Sequence, residues 1–249
     1  IREVAKPLRE KSDMGSLIDI LKNKKIVMLG ESTHGTKEFY EWRKIISQEL
    51  IEKHGFSFIA VEGDWPPCQK INRFISHDHG GENGRSARDV LSGFSRWPTW
   101  LWANVEMIDF VDWLKDWNSH EAKQVGFHGL DLYSFYESID EVLSQLNKID
   151  PELANDAAKY YVCLGPYKHD EKAYARSLFK GHEGCKKEIA AVLAETLHRT
   201  IKSETDKDFW FDAKQNALVV LNAESYYRAM LLGDDDSWNV RDTHMMETL

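Results

Sequence analysis

The chain has 249 residues, enough for one large domain or for one domain with a sizeable insertion. Its formal net charge of −9 argues against the basic surface that nucleic acids and anionic membranes require. Hydrophobic residues make up 42% of the chain, and no apolar run approaches the roughly 20 residues of a membrane span. We therefore expect a globular protein with no nucleic-acid partner and no membrane contact.

The cysteines and the chain ends bear on location and extent. The three cysteines (Cys68, Cys163 and Cys185) are scattered, odd in number and without metal-ligand spacing, which fits a reducing cytosol. The charged opening, IREVAKPLRE, has no signal-peptide character, so we expect a cytoplasmic protein. The closing stretch, SWNVRDTHMMETL, has helical spacing but no stop signal, and we expect the natural protein to continue beyond Leu249.

The first part of the chain predicts strands that alternate with helices. A short helix is expected at 16–23, and KIVMLG at 25–30 has the continuous apolar character of a buried strand. A helix follows at 36–54, between a threonine that can cap its N-terminus and a glycine stop. FSFIAVEG at 56–63 is the second predicted buried strand. Strand, helix and strand at this spacing predict a βαβ unit with parallel neighbouring strands.

The rest of the chain turns from mixed to helical. A long helix at about 100–117 precedes a third predicted strand, QVGFHGLD at 124–131. From 134 to 232 the spacing is helical, with breaks at proline and glycine. We therefore predict an α/β fold: a mostly parallel central sheet flanked by helices, with a large helical insertion or cap. The sheet core is expected over 1–132 and the helical region over 133–249, within a single catalytic domain.

Ionisable side chains follow each of the predicted strands. Ligands of open parallel sheets bind beyond the carboxyl ends of the strands, where these side chains are expected. Turn chemistry explains Asp64 more readily than Glu31 or Glu62, because glutamate is a poor turn former. We therefore predict a functional site at this edge of the sheet, formed by the following residues: Glu31, His34, Glu62, Asp64, His128 and Asp131.

The loop GESTHG, which carries Glu31 and His34, has suitable groups for general-base catalysis of a hydrolysis. Hydrolysis at neutral pH needs a base that titrates near the working pH, and histidine does so. A neighbouring carboxylate holds one tautomer of the imidazole, and Arg43 or the N-terminus of the 36–54 helix can meet the developing oxyanion. The loop lacks the G-x-S-x-G pattern, so its serine and threonine are interpreted as hydrogen-bonding loop residues.

Two arginines allow two interpretations each. Arg43 either leans back along its helix to pair with a carboxylate of the Glu31 loop, or covers an apolar face as a surface arginine. Arg241, on the final helix, either projects into the site or pairs locally with Asp242 on the surface.

The remaining candidates are aromatic or histidine residues. His128 is either a cleft residue or a satisfied histidine at a strand end. Trp97 and Trp102 belong to the stretch RWPTWLW, which either packs in the core or lines an apolar substrate pocket with at least one ring. The pair His77 and His79 has metal-ligand character but no evident third ligand, so a solvated loop is the preferred interpretation.

Five stretches together resemble the erythromycin esterase family: GESTHGTKEF, FSFIAVEGD, RWPTWLWAN, GFHGLDLYS and WNVRDTHM. The resemblance implies a metal-independent hydrolase without a cofactor, which opens a cyclic ester with an activated water. By position, His34 matches the motif histidine, a candidate general base, and Glu31 matches its partner carboxylate. Arg43 and Glu62 match the other polar groups of the cleft. The candidates for substrate binding are Asp64, His128, Asp131, Trp97, Trp102 and Arg241.

The resemblance also shapes the expectation about substrate. RWPTWLWAN is similar to a broad bacterial branch of uncertain substrate, so a small-molecule ester or lactone is expected rather than erythromycin itself. Members of the family continue past the N-x-R-D helix to a W-x-H-N-x-H-like motif, whose histidine is also a candidate base. The oligomeric state is left open. The alternative hypothesis is a metal- or haem-binding protein on a related α/β scaffold, with these candidate ligands: Glu31, His34, Glu62 and His128.

Overall fold

A computed structural model describes residues 6–76, 85–167, 170–199, 203, 206–231 and 234–249. Within these residues the protein is mostly helical, and two strands, β1 (Phe58–Asp64) and β2 (Gly126–Asp131), pair in parallel. The predicted α/β fold is therefore confirmed only in part: a small parallel sheet accompanies a large helical region, and a broader central sheet is not seen in the described residues.

The helices, in chain order, are α1 (Gly15–Leu21), α2 (Lys37–His54), α3 (Trp65–Ile75), α4 (Ala87–Leu91), α5 (Val105–His120), α6 (Phe135–Ile149), α7 (Pro151–Tyr161), α8 (Glu171–Phe179), α9 (Lys186–His198), α10 (Lys207–Met230) and α11 (Asp234–Thr248). Short 3-10 helices cover Lys11–Met14, Thr99–Leu101 and Val162–Tyr167.

The predicted strand at 25–30 is wrong, because the sheet of the described residues contains only β1 and β2. Ile26 and Met28 are 57% and 82% exposed, whereas Val27 and Leu29 pack against the apolar cluster of α1 and α2. A buried strand needs a backbone partner and apolar cover on both faces. This segment has apolar cover on one face, and its expected parallel pairing with β1 is likewise absent from the described part of the sheet.

The other predicted elements are close to those observed. The α2 helix follows Thr36 and ends at Gly55, whose φ of 72° is left-handed, although the Thr36 side chain makes no capping hydrogen bond. The predicted helix at 100–117 starts later, because the Asn104 side chain accepts a hydrogen bond from Met107 N at 2.9 Å and caps α5. Helices α3 and α4 were not predicted.

By its contacts the chain divides into two compact units. Unit 1 comprises Ile1–Ile59 and Lys70–Phe127, and unit 2 comprises Ala60–Gln69 and His128–Leu249. In unit 1, α2 packs against α5, and α4 also packs against α5. Buried Asn118 joins the end of α3 to the residue before β2, because its side-chain amide donates to the carbonyl oxygens of Ile75 and Val125 at 3.0 Å each.

Unit 2 contains a large helical core. The long helix α10 packs against α6, α9 and α11, and its buried side chains join a continuous apolar cluster with those of α6 and α7. A disulfide joins Cys163 and Cys185, whereas Cys68 is free and buried. The spacing of the cysteines in sequence gave no sign of this pair, because helix packing decides which cysteines meet.

No helix among the described residues combines the length and the apolar composition that a membrane span requires.

Candidate active site

Glu31, His34 and Arg43 meet in unit 1. One carboxylate oxygen, Glu31 Oε2, lies 3.2 Å from His34 Nδ1 and 2.8 Å from Arg43 Nη2. The Glu31 and Arg43 side chains are 12% and 19% exposed, and that of His34 is 46% exposed. A carboxylate that is largely withdrawn from water therefore connects a cation with an imidazole that solvent and small molecules can reach.

The short contact with Glu31 favours one tautomer of His34. A carboxylate only accepts hydrogen bonds, so the tautomer with the proton on Nδ1 is the one that fits this contact with Glu31 Oε2. The other ring nitrogen, Nε2, is then the acceptor, which is the form of imidazole that can remove a proton from water. The pair therefore has the arrangement of a general base with an orienting carboxylate.

Gly35 and helix α2 position the side chains of this cluster. Gly35 has a φ of 80°, and a side chain there would meet the Trp100 ring, with a Cβ only 3.0 Å from its Cζ3 atom. Glycine therefore lets the chain turn tightly between His34 and α2. Arg43 lies on α2 and leans back towards its N-terminus, so the interpretation that it pairs with a carboxylate of the Glu31 loop is confirmed.

A second polar cluster lies in unit 2, where Arg241 bridges two acidic side chains. Its Nε and Nη2 atoms donate to Asp131 Oδ1 and Oδ2 at 3.0 and 2.6 Å, and Nη2 also donates to Glu62 Oε1 at 2.6 Å. Arg241 is only 9% exposed. The interpretation of Arg241 as a local surface partner of Asp242 is therefore wrong.

These contacts keep the Arg241 guanidinium positively charged. Burial lowers the pKa of the guanidinium, but the hydrogen bonds and charge of Asp131, together with the hydrogen bond to Glu62, outweigh burial and raise that pKa. The two carboxylates belong to the ends of β1 and β2, which approach closely. A Cβ at Gly129 would lie 2.4 Å from the Gly63 carbonyl oxygen, so only glycine fits there.

His244 supports this cluster and was not predicted. It lies one turn after Arg241 on α11, is 1% exposed, and its Nδ1 accepts a hydrogen bond from Asn222 Nδ2 at 2.9 Å. Burial lowers the pKa of His244 to about 4, against the opposing effect of the Asp131 charge. The only sequence signal for this role was the position of His244 three residues after Arg241.

His128 has polar and aromatic contacts of the kind expected for a satisfied histidine at a strand end. Whether it also lines a cleft stays a prediction. Gln69 Nε2 lies 3.2 Å from its Nδ1 atom, and the ring stacks on Trp65 at 5.6 Å between centroids. Phe211 meets both rings edge-on. Burial lowers the pKa of His128. Asp64 is the last residue of β1, in the same unit.

The two tryptophans of RWPTWLW have opposite environments. Trp97 is 83% exposed, whereas Trp102 is 8% exposed and meets the Tyr40 ring edge-on at 6.2 Å. Their assignment to substrate binding stays a prediction.

The structure thus brings together two sets of the predicted residues, one in each unit. Whether the six side chains that were predicted to follow strands share one cleft stays a prediction. In the described part of the chain, no group of three or more His, Cys, Asp or Glu side chains is arranged to hold a metal ion. The predicted metal-ligand pair, His77 and His79, lies outside the described residues.

A groove of about 780 Å³ also lies in unit 1. It is lined by the 3-10 helix Lys11–Met14, by α1, by the C-terminal half of α2, and by Trp113. Neither Glu31, His34 nor Arg43 lines it.

Curated relatives match part of the chain. It is 27% identical over 120 residues to erythromycin esterase type II of Escherichia coli, a match that covers 48% of this chain and 26% of that protein. It is 24% identical over 143 residues to the putative hydrolase YbfO of Bacillus subtilis (strain 168), covering 57% of this chain and 30% of that protein. The matches thus span less than a third of either relative.

Solved structures share the fold. A protein from Bacillus cereus aligns over 98% of this chain and 59% of its own, with a TM-score of 0.74 and 19% identity. A succinoglycan biosynthesis protein aligns over 98% of this chain and 56% of its own, with a TM-score of 0.73 and 21% identity. A mutant of the erythromycin esterase EreC in its open conformation aligns over 95% of this chain and 59% of its own, with a TM-score of 0.64 and 14% identity.

A sequence model of one family, Erythromycin esterase, matches residues 51–249, which is most of the chain. The family resemblance seen in the sequence is confirmed by this match, and the curated relatives agree with it. The chain belongs to the erythromycin esterase family.

Proposed function

We propose that this protein hydrolyses a small-molecule ester or lactone, with His34 as the base that activates water. The observation that carries the proposal is the contact of Glu31 Oε2 with His34 Nδ1 at 3.2 Å. It directs the basic nitrogen Nε2 of a half-exposed imidazole away from the carboxylate. Membership of the erythromycin esterase family supports ester chemistry.

In the proposed reaction His34 Nε2 removes a proton from water while the water oxygen attacks the ester carbonyl. The imidazolium that forms is stabilised by the Glu31 carboxylate. The carbonyl oxygen becomes an oxyanion, which Arg43 or the amides at the N-terminus of α2 stabilise. The tetrahedral intermediate then expels the alcohol, which takes the proton from His34, and leaves the carboxylic acid.

The cluster of unit 2 is assigned a supporting role. Arg241 holds the Glu62 carboxylate at 2.6 Å, and Glu62 matches a polar group of the family's cleft. We assign substrate binding to the remaining predicted residues, which are Asp64, His128, Asp131, Trp97, Trp102 and Arg241. The expectation that the substrate is not erythromycin itself belongs to the same proposal.

The experiment is a hydrolysis assay of the full protein on a panel that contains erythromycin, a simple macrocyclic lactone and a 4-nitrophenyl ester. We expect turnover of at least one compound without a burst and without an acyl adduct on the protein by mass spectrometry. Ser32→Ala and Thr33→Val should retain that turnover. A burst or an adduct that Ser32→Ala or Thr33→Val abolishes would replace the activated water with a hydroxyl nucleophile. No turnover of any ester would remove the support for hydrolysis.

A further inference from the structure

Among the described residues, only one of the two oxygens of the Glu31 carboxylate has a polar contact. Oε2 contacts both His34 and Arg43, whereas Oε1 is buried and has no hydrogen-bond partner within the described part of the chain. A buried carboxylate oxygen without a partner is costly. In most folded proteins such atoms are paired, so an exception at a candidate active site calls for a specific explanation.

Two donors in the same cluster are also unpaired. The Tyr40 hydroxyl and Arg43 Nε are buried, and neither has a hydrogen-bond partner among the described residues. Tyr40 and Arg43 lie three residues apart on α2, and the Arg43 guanidinium carbon lies 5.7 Å from the centre of the Tyr40 ring. One acceptor and two donors of this cluster are therefore withdrawn from water without a partner.

The Tyr40 side chain is buried and tightly packed. It is 4% exposed, and its ring packs edge-on against Trp102 at 6.2 Å. Burial raises the pKa of the Tyr40 hydroxyl, and the Glu31 charge raises it further, so the hydroxyl keeps its proton. The amide of Gly35 is close enough to oppose this rise in pKa, but it makes no hydrogen bond with the hydroxyl. A neutral phenol beside a carboxylate can only act as a donor towards it.

We infer that Tyr40 is a positioning residue, whose hydroxyl restrains Glu31 through Oε1, the oxygen that neither His34 nor Arg43 contacts. The two atoms do not bond to each other in this structure, so the restraint needs a bridging water or a small rotation of the Glu31 side chain. The inference rests on the proposed role of Glu31 and His34. A restraint on both carboxylate oxygens fixes the plane of the carboxylate, and that plane fixes the direction of the imidazole. Arg43 Nε competes for the same oxygen, and the test below separates the two donors.

The test uses the full protein and the ester that it turns over. Tyr40→Phe removes only the hydroxyl and keeps the ring against Trp102. We expect kcat to fall about ten- to a hundredfold, as for loss of a hydrogen bond to a charged group, with KM within about twofold and an unchanged Tm. Tyr161→Phe is the matched control, because Tyr161 is 6% exposed and its hydroxyl also lacks a partner among the described residues.

A double-mutant cycle separates positioning from packing. In a Glu31→Gln background, Tyr40→Phe should lower kcat by less than about twofold, because the carboxylate that it restrains is gone. Arg43→Lys keeps the charge and lacks Nε. If Tyr40→Phe keeps its full effect on top of Arg43→Lys, the hydroxyl acts on its own. If that effect disappears, the hydroxyl acts through Arg43 rather than on Oε1, and the inference is overturned.

The NMR signals of His34 separate this inference from the proposed function, because they can be measured without any enzymatic activity. Tyr40→Phe should shift the ring-nitrogen NMR signals of His34, assigned by their loss in His34→Ala, whereas Tyr161→Phe should leave them in place. Wild-type kcat in Tyr40→Phe with unshifted His34 signals overturns the inference, even when His34→Ala is inactive. Full turnover in His34→Ala overturns the proposed function instead, and the NMR shift still decides whether Tyr40 restrains Glu31.

Discussion

Arg241 donates two hydrogen bonds of 3.0 and 2.6 Å to Asp131, although the two residues lie 110 positions apart in the chain. The pair ties α11 to the end of β2, and both side chains are buried. A buried ion pair does not stabilise a protein simply by existing, but removing one partner leaves an uncompensated buried charge.

Arg241→Met should therefore lower the free energy of unfolding by about 3 to 5 kcal/mol, measured by urea denaturation. Arg241→Lys should lower the free energy of unfolding by less, because it keeps the positive charge. Some cost remains, because lysine cannot make the two-point contact. The matched control is Arg176→Met, whose partner is the exposed Asp170, and its cost should stay below about 1 kcal/mol. Equal small costs for Arg241→Met and Arg176→Met would show that the buried pair is not maintained in solution.

His244 predicts a dependence of stability on pH. Burial lowers its pKa in the folded protein to about 4, below the ordinary value of 6.5. Between these values the unfolded chain binds more protons than the folded one, so the free energy of unfolding increases with pH. Stability should therefore fall as the pH is lowered from about 6.5 to about 4, by on the order of 3 kcal/mol from this group.

The measurement is the free energy of unfolding at several pH values in this window, for wild type and for His244→Asn. The variant is expected to be less stable at pH 7 and to have a shallower slope between pH 6.5 and 4. His120→Asn, which removes an exposed imidazole, is the matched control for the loss of a histidine. An identical slope in wild type and His244→Asn would rule out the buried neutral histidine.

Gly35→Ala tests how the loop of Glu31 and His34 is held. The left-handed backbone at Gly35 should cost a side chain about 1 to 2 kcal/mol, and the new Cβ also presses on the Trp100 ring. We expect lower stability and lower kcat, because the change displaces His34 next to it. Gly55→Ala is the control: its φ of 72° carries the same strain, but no atom lies within 4 Å of its Cβ position. Only its stability should fall, and equal loss of kcat in both variants would contradict the account.

The disulfide predicts a response to reductant. Cys163 and Cys185 are 22 residues apart, so opening their bond should lower the free energy of unfolding by about 3 kcal/mol. A double variant with serine at both positions should no longer respond to reductant. Thiol titration of the denatured protein without reductant should find Cys68 alone. Finding all three cysteines reactive would mean that the pair is reduced, as is typical of the cytosol that the sequence predicts.

Local signals in the sequence were enough for many elements. Thr36 and Gly55 bound α2 as predicted, and the helical spacing after Ser134 gave the helical character of that region. Arg43 had two interpretations, and the one in which it leans back along α2 is observed, because it contacts Glu31. These predictions depend on residues that are near each other in the chain, where local backbone geometry largely fixes the relation.

Relations over long distances could not be predicted in the same way. An apolar run predicts a strand, but Val27 and its neighbours are not paired in the described sheet, because pairing depends on a partner elsewhere. The contacts of Arg241 with Asp131 and of His244 with Asn222 depend on how α11 packs, which the local pattern of charges does not encode. Buried polar side chains such as His244 look like ordinary surface residues until the helix face is known.

The central claim is that His34 is the base. Its most direct test is the turnover of His34→Ala on the ester that the wild-type protein hydrolyses, measured beside its Tm. The account predicts that kcat falls to the background rate while the free energy of unfolding changes by about 0.5 kcal/mol or less, because the half-exposed side chain supports little packing. The exposed His120→Ala should retain full turnover. Full turnover in His34→Ala would contradict the account and place the base elsewhere in the protein.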